Sequence, residues 1–126
     1  MHLHEVVEKC TLAANHLGEK HLENVGKLGV AGACPAIAQA LSMHPDKAGV
    51  VLQMFHLIVL LAVEPSNRAM LGTPQCCMAI IGAFKCQIES PEIIAAGCRA
   101  LSCILLGNAY NRTQMGQAGA CEVVKV

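Results

Sequence analysis

Residues 30–41 read "VAGACPAIAQAL", and residues 117–126 read "QAGACEVVKV". Ala31-Gly32-Ala33-Cys34 recurs as Ala118-Gly119-Ala120-Cys121, each time opening an apolar run, and Pro74-Gln75-Cys76-Cys77 stands between them as a degenerate copy. The upstream residues agree as well. Asn24, Asn67 and Asn111 are spaced by 43 and 44, and Leu28-Gly29, Leu71-Gly72 and Met115-Gly116 keep the same offsets. The copies at 67 and 111 both begin Asn-Arg, and Ile37, Ile80 and Val124 share one apolar position downstream.

A second series lies between these. Cys10, Met54 and Cys98 are spaced by 44 each, inside "EKCTLAANHL", "LQMFHLIVLL" and "AGCRALSCIL". None of these segments contains a proline, so each reads as an uninterrupted helix. A period near 44 is the signature of a helical solenoid, in which each unit is one supersecondary element. One unit parses into three helices. A short one is expected at 24–29, 66–72 and 110–117, and a second at 33–43, 75–88 and 119 onward. A third is expected at 47–63 and 91–107, with an earlier copy at 3–17. Pro35 falls in a first helical turn, where a missing N–H costs little. Ser90-Pro91-Glu92 reads as a cap, an N1 proline and an acidic first turn, while Gly18 and Gly107 stand where helices stop.

These residues resemble the armadillo repeat family. "NVGKLGVAGACPAIAQAL" is similar to the first half of that family's unit: an Asn before a short helix, a Gly at a sharp bend, then an apolar second helix. "GCRALSCILLGNAYN" is similar to the third helix. The resemblance covers essentially the whole chain, and the bend glycine favours armadillo over the related HEAT units. It implies an all-α, right-handed α-solenoid of three-helix units forming a single domain, 1–126. The expected division is a third helix at 1–22, full units at 23–65 and 66–109, and the start of a further unit at 110–126.

The resemblance also implies a site. In that family the third helices line a concave groove, where an Asn grips an extended peptide and a Trp four residues earlier packs its side chains. The Asn position holds Asn15, Val59 and Cys103, and the Trp position holds Thr11, Phe55 and Arg99. One Asn in three and no Trp depart from that pattern. What remains is a groove with an apolar middle, Phe55, Ile58 and Val59, flanked by Arg99, Ser102 and Cys103. Spacings of three and four place Phe55, Ile58 and Val59 on one helix face. Such a groove suits an amphipathic helix or a folded protein surface. Packing against a neighbouring helix is the competing reading of the same three residues.

A solenoid unit cannot bury its apolar face alone, and the terminal units of a free solenoid need polar outer faces. "CEVVKV" is apolar apart from Glu122 and Lys125, so Val6, Val123 and Val124 are candidates for end-to-end stacking with a second copy or a larger assembly.

Composition narrows the function classes. The chain of 126 residues is 54% hydrophobic but only 2% aromatic, and Ala-rich mixtures of this kind suit close helix packing better than sheets. Nine basic residues balance nine acidic ones, and no basic stripe with interleaved aromatics is present, which argues against nucleic acid as a partner. The eight cysteines lie within apolar helical patterns, and "MHLHEVVEKC" lacks the features of a signal peptide; the expectation is a reduced, intracellular, cytoplasmic chain. The longest apolar run, 48–63, is shorter than the ~20 residues that cross a bilayer and contains Gln53 and His56, so a buried helix is expected there and a membrane-embedded subunit is the weaker reading.

No metal or cofactor is expected. His16 and His21 are five apart, the zinc-protease His-Glu-x-x-His spacing fails after His4-Glu5, and no Cys-x-x-Cys occurs. Gly29-x-x-Gly32 follows no strand and is a bend between helices, not a nucleotide loop. Ser42, His44 and Asp46 sit together only because they share a helix end, so no catalytic set is assigned. The expected role is that of a protein-interaction scaffold or adaptor binding a protein or peptide; the alternative is a structural subunit held through its apolar ends.

Overall fold

The computed structural model describes residues 9, 12, 13, 15, 16 and 22–124. Every regular element among them is an α-helix: α1 (Leu22–Val30), α2 (Ala33–Met43), α3 (Ala48–Leu61), α4 (Pro65–Leu71), α5 (Pro74–Cys86), α6 (Pro91–Leu105), α7 (Ala109–Gln117) and α8 (Ala120–Val124). The protein is all-α. Lys9, Leu12, Ala13, Asn15 and His16 are helical too; the rest of the helix expected at 3–17, and Gly18, fall outside the described residues.

Local chemistry sets the helix starts. Pro65, Pro74 and Pro91 occupy the first turn of α4, α5 and α6, where φ is already suited to a helix and no N–H is needed. The hydroxyl of Thr73 caps α5 by accepting from the Cys76 N–H at 3.3 Å, and Asn108 Oδ1 caps α7 by accepting from the Asn111 N–H at 2.9 Å.

The AGAC segments are bends. Gly32 lies between α1 and α2 at φ 98°, and Gly119 lies between α7 and α8 at φ 101°. This left-handed conformation is one that a Cβ disfavours, which accounts for glycine at both places. The segment between α4 and α5 makes its own bend, 73°, by different means: Gly72 keeps an ordinary negative φ, and Thr73-Pro74 restarts the chain as cap and first residue.

The most extensive helix contacts join α3 to α6 and α2 to α5. Burial recurs along these pairs at a spacing of 43. Val50, Met54, Leu57, Ile58 and Leu61 of α3 are buried, and so are Ile93, Gly97, Ala100, Leu101 and Ile104 of α6. In α2 and α5 the matching pairs are Cys34 with Cys77, Ile37 with Ile80, Ala38 with Ile81, Ala40 with Ala83 and Leu41 with Phe84. The spacing of 44 read through Met54 and Cys98 is therefore corrected to 43 within α3 and α6. The physical reason is one extra residue at the end of α6, which has 15 residues against 14 in α3 and shifts only the residues beyond it.

Two buried asparagines tie these layers together. Asn67 Nδ2 donates to the carbonyls of Val25, at 3.2 Å, and Leu61, at 3.0 Å. Asn111 Nδ2 donates to the carbonyls of Arg68, at 2.8 Å, and Ile104, at 3.0 Å. Each amide joins the end of the preceding long helix to a short helix further back. Gly29 and Gly72 make room for them: a Cβ on Gly29 would collide with Oδ1 of Asn67, and one on Gly72 with Oδ1 of Asn111. A third notch lies at Gly97, where a Cβ would come 2.5 Å from Phe84 Cζ and 2.8 Å from Phe55 Cε2. The two rings stack at a tilt there, with centroids 5.4 Å apart.

Candidate partner-binding face

The face opposite the core of α3 follows from the polar residues in its apolar sequence. Gln53 and His56 are three apart, so they share one side and mark the solvent side of the helix. Ala48 at the helix start is exposed, and the other residues not fully buried follow that phase: Gly49, Leu52, Gln53, His56, Val59, Leu60 and Val63, the last just past the helix end. On α6 the corresponding residues are Glu92, Ala95, Ala96, Arg99, Ser102, Cys103 and Leu106. Because α3 and α6 lie side by side, the two stripes adjoin. Large apolar groups stand along α3, and small or polar ones along α6. Each stripe finishes, just past the C-terminal end of its helix, on an open apolar residue: Val63 is 56% exposed and Leu106 67%.

Four of the expected site residues share this face. Val59 and Cys103 are half-buried, and Arg99 and Ser102 are exposed. Asn15 is half-buried on the helical stretch before α1, and its Nδ2 lies 3.4 Å from both the backbone carbonyl and the side-chain Oε1 of Gln53. That amide is thus engaged with α3.

Phe55 and Ile58 require correction. Both are completely buried and belong to the core. Phe55 faces the Gly97 notch and the Phe84 ring, away from the exposed His56. With the register at 43, Phe55 corresponds to Cys98, and Arg99 corresponds to His56. Val123, expected on an open end, is also corrected: it is 7% exposed and packs into the core beneath α8, which lies against α5. Val6, Thr11 and the side chain of Val124 lie outside the described residues. His56, Leu52, Leu60 and Leu106 are surface groups absent from the expected site, although the Gln53/His56 phase is enough to find the three on α3.

The buried thiols do not form a reactive centre. Burial pushes the Cys34 thiol up to about 11. Burial, followed by the neighbouring Cys77 and Cys34, pushes Cys76 up to about 12, and burial also raises Cys77. All three stay protonated near neutral pH, and a protonated thiol is a poor nucleophile and metal ligand. Cys34 Sγ instead sits 3.9 Å from the Asn67 carbonyl, a weak donor beside the buried amide. Among the described residues no group of three His, Cys, Asp or Glu side chains is placed to hold a metal ion. No single helix among them is long and apolar enough to cross a membrane.

Comparison of the chain with protein-family profiles, with curated proteins and with solved structures found no match.

Proposed function

We propose that this chain is an armadillo-like α-solenoid of three-helix units, working inside the cell as a scaffold that binds another protein. The observation that carries the reading is the adjoining outward stripe of α3 and α6, with Leu52, Val59, Leu60 and Val63 on one helix and Ser102, Cys103 and Leu106 on the other. Packing of α2 on α5 and of α3 on α6, three elements apart, supports the solenoid arrangement, and the two Asn clamps at corresponding places support its unit. Free, buried thiols support a reducing compartment. The stripe lacks a row of asparagines, which favours a partner offering an apolar helix face over an extended peptide held by its backbone.

The test places a photo-crosslinking amino acid at His56, on the stripe, and at Gln39, an exposed position on α2. Irradiation in native extract should give one discrete adduct from position 56 and none from 39. Val59→Glu should remove the adduct and leave the helical circular dichroism unchanged. Equal labelling from both positions, or an adduct that survives Val59→Glu, would exclude this face.

One observation favours a second reading, stacking with another copy. Cys98 is half-buried on α6, at the position that corresponds to Phe55 on α3, and Ile94 corresponds to Val51. Phe55 and Val51 are fully buried, Phe55 against α6 itself. A further helix lying on α6 would cover Ile94 and Cys98 in the same way. Light scattering across a concentration series separates the readings: a rising mass lowered by Ile94→Glu supports stacking, and a constant mass of 13.3 kDa excludes it.

A further inference from the structure

We draw no further inference here: the strongest candidate, the half-exposed apolar stripe around Leu52, Val59 and Leu60 on α3 with Cys103 and Leu106 beside it, belongs to the face already described, and nothing in the structure shows what else covers it.

Discussion

Gly72 follows α4 and Gly116 lies near the end of α7, and each comes directly after a buried apolar residue, Leu71 or Met115. In sequence they look like the same position. In the structure Gly72 is a socket filled by the buried amide of Asn111, whereas a Cβ on Gly116 would meet nothing within 4 Å. The same contrast separates the two AGAC segments. Cys34 is buried beside the Asn67 carbonyl, and Cys121 is exposed. A recurring letter therefore does not carry a recurring contact. The contact exists where another helix lies over that letter, and the energetic cost of changing the residue depends on the covering helix.

The sharpest test of this contrast is kinetic. Cys121 should react with a small alkylating reagent in the native protein, while Cys34, Cys76 and Cys77 wait for local or global opening, slower by on the order of a thousandfold. Residue-resolved mass spectrometry would read this directly, and fast native labelling of Cys34 would break the comparison. Because burial holds Cys34 at about 11 and Cys76 at about 12, both stay largely protonated in mildly alkaline solution. Linkage gives the sign. The folded state holds these protons more tightly than the unfolded chain, so their contribution to stability is complete below the ordinary thiol range and declines as the pH rises towards 11 and 12.

Next in size is Asn111→Ala. It removes both donations to Arg68 and Ile104 and leaves their carbonyls without that partner, at a cost of about 3 kcal/mol by urea unfolding. Gly72→Ala should cost about 2 kcal/mol, because the new methyl meets the amide in a close-packed site. Combining the two changes sharpens the comparison: with the amide gone the methyl has room, so the double variant should be clearly more stable than the two separate losses added together. Strict additivity would show that Gly72 matters for another reason.

Smaller effects distinguish the two kinds of bend. Gly32→Ala should cost about 1–2 kcal/mol through its left-handed φ, with open space around the new methyl. Thr73→Ala should cost about 1 kcal/mol through loss of the α5 cap. Gly116→Ala reverses the sign. It adds helix propensity without a clash and should stabilise by about 0.5–1 kcal/mol, seen as a small rise in melting temperature.

Much of the helix pattern was legible. The repeat offsets, with the Ser90-Pro91 start and the bend glycines, placed α2 at 33–43 and the starts of α4 to α7 to within one residue. The surface was less legible. Along α3 nearly every residue is apolar, so Phe55, Ile58 and Val59 look alike by type, and a one-residue error in register turns a helix by about 100°. That error moved Phe55 to the outside and hid His56. The asparagines were visible as a spacing, but their role was not, because each amide reaches carbonyls on two other helices.

By itself the sequence determined that the chain is helical, where most helices begin, and where the chain turns, because those properties depend on residues within a few positions of each other. Tertiary structure alone decided which glycines are sockets, which cysteines are sealed, and how the outward side of α3 is matched to that of α6. Those depend on what lies across a helix interface, at a register that a single extra residue at the end of α6 is enough to shift.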